Sequence, residues 1–132
     1  MSYVDTELPT IILGLSDSAR LSRLTDAAAD AFPATAEFLA REIARAEISP
    51  DSQLSHHVVR MGSTVAFRED SDRQREVTLV YPEAADISAA RISVLTPIGA
   101  ALIGLSVGQT IEFPTPAGGR RSLTVTKVRQ PG

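Results

Sequence analysis

The hydrophobic period of the sequence changes near Val58, and this change constrains the fold more than any other feature. Before it, apolar residues recur at spacings of three and four, which is typical of helices with one buried face. After it, apolar and polar residues alternate, which is typical of strands. A chain of 132 residues has room for a single modest domain, or for a small domain with an appendage. The sequence therefore predicts an α+β protein, with helices first and a sheet second.

Two helices are predicted before the change of period. One apolar stripe follows Ser16, a candidate N-cap, and ends before Pro33. A second stripe follows Thr35. Because only the short connection 32–34 joins them, we expect the helices to lie antiparallel. At about 15 residues each, they predict a helical hairpin, or short coiled coil, over residues 16–47 that extends roughly 22 Å.

Short segments flank this hairpin. Residues 10–13 are apolar but too few for a helix, which predicts an edge strand or a packed arm within an N-terminal arm of residues 1–15. Residues 48–57 contain turn-forming side chains and no apolar period, which predicts a linker.

The second part is predicted to be an antiparallel sheet with one small helix, over residues 58–130. Thr96 is a candidate cap for that helix, Pro97 its first residue, and Gly104 the left-handed residue at its end. The polar stretch 69–75 is predicted to be a hairpin loop. Strands are predicted at residues 64–68, 76–81, 91–94, 109–113 and 120–128.

Composition excludes several functional classes. The absence of cysteine excludes a disulfide framework, a thiolate nucleophile and a cysteine-ligated metal site. Thirteen basic and sixteen acidic side chains give a net charge of −3, which is too weak a bias for a general nucleic-acid binder. We also expect no sequence-specific binding of nucleic acid. His56 and His57 are adjacent, so in an extended chain they point to opposite sides. We therefore predict no metal, no cofactor and no catalytic residue.

The sequence also predicts a cytoplasmic protein that does not bind membranes. The longest apolar run, residues 98–105, is far shorter than the roughly 20 residues that a membrane span needs. The first residues lack the basic start and apolar core of a secretory signal.

The run ISVLTPIGAALIG at residues 92–104, followed by Gly108, resembles the C-terminal signature of the GreA/GreB transcript-cleavage factors. In that signature Pro97, Gly99, Gly104 and Gly108 have structural roles, because they start a helix, allow close contact with the sheet and turn the chain. Gln109 departs from the acidic residue common in the family, and we expect this to alter a turn rather than a function. The resemblance extends over about residues 58–128.

A second resemblance covers nearly the whole chain. The segment TLVYP at residues 78–82, then Asp86, and the PTII start at Pro9 resemble the Rnk regulators of nucleoside diphosphate kinase, which are relatives of the Gre factors. That family has a shortened helical hairpin ahead of an FKBP-like domain. The resemblance implies a regulator that binds RNA polymerase at its secondary channel through the sheet domain. We expect the protein to be a monomer.

The predicted hairpin tip lacks the paired-acid motif of the Gre factors. There, two carboxylates hold a Mg²⁺ ion that promotes RNA hydrolysis. Here Asp26 and Asp30 are expected to share a helical face, with Glu37 at the start of the return helix. An acidic cluster is one interpretation, and solvated helix charges are favoured. Phe32 is either an exposed contact with the polymerase channel or a buried end plug, and burial is the commoner fate of phenylalanine.

The sequence thus predicts a non-catalytic protein that competes with Gre factors without stimulating transcript cleavage. Arg120 and Arg121 are candidates for docking on an acidic rim, although a plain solvated pair is favoured and alternation lets only one face a partner. Two alternatives stay open. One is direct contact with nucleoside diphosphate kinase, for which an indirect effect is preferred. The other is a peptidyl-prolyl isomerase, which needs an aromatic-lined pocket, whereas Phe67, Tyr81 and Phe113 are accounted for as core.

Overall fold

A computed structural model describes residues 8–69 and 73–131 of the chain, and it has the α+β organisation that the sequence predicts. A three-residue strand comes first and two helices follow it; the other strands and a third helix come after them. The helices are α1 (Leu15–Ala28), α2 (Pro33–Arg45) and α3 (Pro97–Leu102), and the strands are β1 (Ile12–Gly14), β2 (Glu47–Ser49), β3 (Thr64–Glu69), β4 (Gln74–Val80), β5 (Arg91–Ser93), β6 (Thr110–Pro114) and β7 (Arg120–Arg129).

The start of α1 is held by a carboxylate from a distant part of the chain. Gly14, not Ser16, is the N-cap residue, and it offers no side chain to the helix. Instead, the Ser16 N–H donates to Asp51 Oδ1 at 3.1 Å, and the Ser16 hydroxyl donates to Asp51 Oδ2 at 2.5 Å. These bonds lower the pKa of Asp51 because they stabilise its charged form. The predicted cap is therefore wrong: a residue 35 positions away satisfies the helix end.

The two N-terminal helices meet at a different connection from the predicted one. The first helix ends at Ala28, and Pro33 is the first residue of the second. Pro33 can begin the second helix because the fixed φ of proline suits the first turn of a helix. Residues 29–32 therefore form the link. The helices pack on each other and place Leu21 and Leu39, both fully buried, in the common core.

The strands β1 and β2 form a small parallel pair, with Leu13 opposite Ile48. Residues 10–13 are predicted to be an edge strand or a packed arm. In the structure Ile12 and Leu13 belong to β1, and Ile11 and Leu13 are buried. The start of the predicted linker is wrong, because its first two residues belong to β2. The arm's residues 1–7 lie outside the described residues.

The remaining strands form one sheet in the order β5-β4-β3-β7-β6. The prediction of an antiparallel sheet holds for every pair but one: β5 runs parallel to β4. Two short 3₁₀ turns between Pro82 and Ala89 carry the chain around, so that it returns in the same direction. The pairing of β3 with β4 reaches Arg68 and Gln74, into the predicted loop 69–75, of which residues 70–72 are not described.

The helix α3 closes the core of this sheet. It begins at Pro97, and the Thr96 hydroxyl oxygen accepts from the Gly99 N–H at 3.0 Å. It ends before Gly104, whose φ of +82° is the left-handed conformation favoured by glycine. The large side chains that are fully buried in this core include Phe67, Phe113, Leu79, Leu105 and Leu123, together with Leu102 of α3. Within the described residues, no helix has the length and apolar character needed to cross a membrane.

Candidate functional site: an arginine-lined groove

At one end of the sheet, the face that buries the core ends in charged side chains. Alternate residues of a strand point to the same face. On β4, Arg75 precedes the buried Val77 on that face, and on β7, Arg121 precedes the buried Leu123. The strand between them, β3, ends at Glu69. The sheet therefore brings two arginines and one carboxylate together where its hydrophobic core stops.

A groove of about 410 Å³ opens beside these strand ends. Its apolar lining includes Ile87, which is 90% exposed, and the first residues of α3. Arg75, Arg91 and Arg121 also line it, and none of its described lining residues is acidic. We call this surface the arginine groove; its apolar lining side chains are Ala85, Ile87, Ile92, Pro97, Ile98, Phe113 and Pro116.

Two of the three groove arginines are held by Glu69. The Glu69 side chain is only 6% exposed, and its two oxygens lie 2.6 Å from Arg121 Nη2 and 3.3 Å from Arg75 Nη1. The Arg75 guanidinium also lies over the ring of Phe67, with its carbon 5.6 Å from the ring centroid. Both arginines keep about half of their side-chain surface accessible. They can therefore still bind an external group.

The chemistry of the arginine groove is that of binding. Arginine stays protonated in proteins, so it donates hydrogen bonds and cannot act as a general base. Guanidinium groups beside apolar surface suit a partner that presents carboxylates next to apolar side chains. Phe113 is the one aromatic residue among the described lining residues, and it is 2% exposed. The aromatic-lined pocket expected of a prolyl isomerase is thus not formed here.

The two predicted docking arginines lie on different surfaces, as strand alternation requires. Arg121 lines the arginine groove and pairs with buried Glu69, so it is not a plain solvated side chain. Arg120 lies 3.4 Å from the exposed Glu112, and lines a second cavity between α2 and β6. That second cavity has a volume of about 580 Å³ and contains carboxylates as well as arginines.

The predicted tip residues are all exposed. Asp26 is on α1 and Glu37 is on α2, but Asp30 follows the end of α1, so the two aspartates do not share one helical face. In the described ranges, 8–69 and 73–131, no three metal-ligating side chains form a group. Phe32 is 54% exposed, so the expectation of a buried end plug is wrong. A ring placed at the turn between two short helices has little core to enter.

The signature residues lie in α3 and in the turns around it. A Cβ at Gly99 would lie 2.2 Å from the Ser93 carbonyl oxygen, so only glycine allows this contact between α3 and β5. Gly108 has a φ of +94°, and its N–H donates to the Val125 carbonyl at 2.8 Å. This turn places the start of β6 beside β7.

Gln109, which replaces the acidic residue common among Gre factors, joins the arm to the sheet domain. Its Oε1 accepts from the Ser106 N–H at 2.9 Å, and its Nε2 donates to the Thr10 carbonyl at 3.0 Å. A carboxylate would reproduce the first bond but not the second, because it has no hydrogen to donate.

A polar cluster fixes α1 against the sheet domain. Asp17 accepts from the Tyr81 hydroxyl and from the Met61 N–H, both at 3.2 Å. The Arg20 guanidinium lies 3.6 Å from the centroid of the Tyr81 ring and pairs with Glu83. Burial and the Asp17 carboxylate raise the pKa of Tyr81, because both disfavour the phenolate. The N-terminal helices are therefore tied to the domain that carries the arginine groove.

Sequence reasoning missed most of the arginine groove. Glu69 and Arg75 were assigned to a loop, and Arg91 and Ile87 were assigned no role. A signal existed: apolar alternation through Val77 continues in step to Arg75. A charged residue at an expected core position of a strand marks the place where the core ends.

Two family descriptions match the chain. Residues 54–130 match "Transcription elongation factor, GreA/GreB, C-term", and residues 9–48 match "Rnk N-terminus". The regulator of nucleoside diphosphate kinase from Escherichia coli K12 is 39% identical over 121 residues, which are 91% of this chain and 89% of that protein. Transcription elongation factor GreA from Rhodospirillum rubrum is 48% identical over 86 residues, which are 64% of this chain and 54% of that factor.

The fold is also shared with a solved structure, a prokaryotic transcription elongation factor GreA/GreB from Nitrosomonas europaea. It superimposes with a TM-score of 0.71 at 38% identity, and the match covers 92% of this chain and 98% of that chain. The curled sheet with helices ahead of it is therefore the arrangement of that GreA/GreB structure.

Proposed function

Because the chain belongs to the GreA/GreB family and carries an Rnk-type N-terminus, we propose that it is a cytoplasmic regulator that binds RNA polymerase. It docks at the secondary channel as a monomer and modulates transcription without stimulating transcript cleavage. RNA polymerase enters this proposal through the names of the relatives, which are transcription elongation factors.

In this proposal each part of the chain has one task. Residues 58–130 form an FKBP-like anchor, and residues 16–47 form a short antiparallel finger that enters the channel. Residues 1–15 and 48–57 are the arm and the linker. Strands β1 and β2 pair at the base of the finger, and the Ile12 N–H of β1 donates to the Gly104 carbonyl of the anchor at 3.1 Å.

The arginine groove is the observation that carries the docking role. It combines exposed apolar surface with arginines and lies in the part of the chain that matches the GreA/GreB description. An exposed apolar patch rimmed by polar groups is typical of an interaction surface. A polymerase surface that carries carboxylates beside apolar side chains is its complement.

The finger supports the absence of cleavage stimulation. Its helices have 14 and 13 residues, so each extends about 20 Å. Asp26, Asp30 and Glu37 are exposed and form no metal-binding group with further ligands among the described residues. Holding a second Mg²⁺ at the polymerase site requires converging carboxylates. The finger therefore acts by occupying volume, which makes the protein a competitor of Gre factors.

A cleavage assay on backtracked polymerase tests this function. We expect no shortening of the RNA with this protein alone, and a concentration-dependent loss of cleavage when a Gre factor is present. The variant Arg121→Ala should compete less well, because it removes a groove arginine. The variant Arg120→Ala is the matched control, since its side chain lies outside the groove. Robust RNA shortening by the protein alone would overturn the proposal.

A second candidate function follows from the name of one relative, the regulator of nucleoside diphosphate kinase. Here the arginine groove would bind the kinase directly. A pull-down with purified polymerase and purified kinase separates the two candidates. Retention on polymerase supports the first, and retention on the kinase alone supports the second.

A further inference from the structure

We propose that Glu69 is a positioning residue, which sets Arg75 and Arg121 as a fixed pair for binding carboxylates of the docking partner. This proposal rests on the docking role of the arginine groove and assigns its specificity. The partner is the polymerase surface, at a segment where carboxylates flank apolar side chains.

Glu69 is placed to act through the arginines and not through the partner. It is almost fully buried and is not among the lining residues, whereas both of its arginine partners are. It stands on the central strand β3, and its neighbours in the sheet are the strands that carry the two arginines. Each carboxylate oxygen engages one arginine. A single buried side chain therefore links both guanidinium groups.

This link reduces the side-chain entropy that the two arginines lose when a partner binds. A free arginine loses much rotamer freedom when a partner immobilises it. Ion pairing to a buried carboxylate restricts both guanidiniums before the partner arrives. It also offsets the repulsion between two like charges at the same groove wall. A guanidinium has five N–H donors, so each arginine carries donors beyond the one that faces Glu69.

A positioning role and a net-charge effect predict opposite changes in binding affinity when Glu69 is replaced, which makes the proposal testable. Replacement of Glu69 by glutamine removes one negative charge from the wall of a positive groove. If attraction depended only on net charge, an acidic partner would bind more tightly. If Glu69 acts by positioning, binding weakens despite the more favourable charge.

The experiment measures the affinity of the full-length protein for purified RNA polymerase as a function of salt. We expect Glu69→Gln to weaken binding about 5- to 100-fold, the loss for two side chains that must be ordered on binding. Glu112→Gln is the matched control: it makes the same charge change on β6 but faces the exposed Arg120 outside the groove. The control should bind within about twofold of the natural chain. Equal or tighter binding by Glu69→Gln would overturn the proposal.

A second variant guards against a folding defect in Glu69→Gln. Arg121→Lys keeps the charge but replaces the guanidinium, whose Nη2 lies 2.6 Å from Glu69 Oε1, by a flexible ammonium group. In a double-mutant cycle, Glu69→Gln should weaken binding less in the Arg121→Lys background than alone, because part of its effect runs through Arg121 and the rest through Arg75. Additive losses would contradict a positioning role and indicate a general structural one.

A readout on the free protein separates this inference from the proposed function. Nitrogen NMR of the Arg121 guanidinium reports how freely the group rotates. We expect restricted rotation in the natural chain and free rotation in Glu69→Gln. If the natural chain does not bind polymerase, the docking function fails. If rotation is equally free in both chains, the positioning role fails, whatever the binding result.

Discussion

Replacement of Gly99 by alanine tests the contact that sets α3 against the sheet. A Cβ at this position would lie 2.2 Å from the Ser93 carbonyl oxygen and 2.9 Å from the Val94 Cα. Contacts of Cβ below 3.0 Å are essentially never seen, so 3.0 minus 2.2 gives a required shift of at least 0.8 Å. The clashing atoms belong to the backbone, so no side-chain rotation relieves them.

The magnitude follows from two opposing effects. Alanine is a better helix former than glycine by about 1 kcal/mol, which alone would stabilise the protein. Overpacking a tight core costs about 1–3 kcal/mol, and a backbone clash belongs at the upper end. We therefore expect a net loss of about 2 kcal/mol in the free energy of unfolding. For a chain of this size, that loss lowers the melting temperature by roughly 8 °C.

Urea and thermal unfolding followed by circular dichroism measure this loss. Gly119→Ala is the matched control, because its added Cβ would meet Thr115 Oγ1 at an ordinary 3.7 Å, and its φ is not positive. The control should change stability by less than about 0.5 kcal/mol. Because Thr96 and Pro97 line the arginine groove, Gly99→Ala should also weaken polymerase binding. A Gly99→Ala variant as stable as the natural chain would refute the close-contact argument.

Three further predictions concern contacts between distant parts of the chain. Hydrogen bonds from Ser16 lower the pKa of Asp51. The stability that the Asp51 carboxylate adds should therefore be present above about pH 4 and lost as the pH falls through the lowered pKa. An Asp51→Ala variant with the same acid unfolding curve as the natural chain would contradict this. Gln109→Glu should lower the free energy of unfolding by about 1 kcal/mol, because a carboxylate cannot donate the hydrogen bond to the Thr10 carbonyl. Urea unfolding measures this change, and an unchanged midpoint would show that Gln109 does not stabilise the contact between the arm and the sheet domain. The phenol of Tyr81 should ionise above its ordinary pKa, measured by ultraviolet absorbance against Tyr81→Phe, and ionisation near the ordinary value would show that the ring is not held against α1.

The sequence by itself determined which elements form and where the helical part gives way to the sheet. Period alone located α1 and α2, because a helix buries one stripe whatever it packs against. It also located the beginning of α3, since Pro97 and the Thr96 hydroxyl act within a single turn. The family signature at residues 92–104 was legible for the same reason: its proline and glycines set local backbone conformation.

Only the tertiary structure decided the pairings between distant residues. Asp51 caps a helix 35 residues away, and β5 runs parallel to β4, because neither depends on neighbours in sequence. The arginine groove exists for the same reason: three strands must lie in register before Glu69 reaches Arg75 and Arg121. The local sequence pattern indicates which secondary structure each segment adopts, whereas long-range contacts depend on how the sheet aligns its strands. The surface that we propose for docking therefore appears only once the chain is folded.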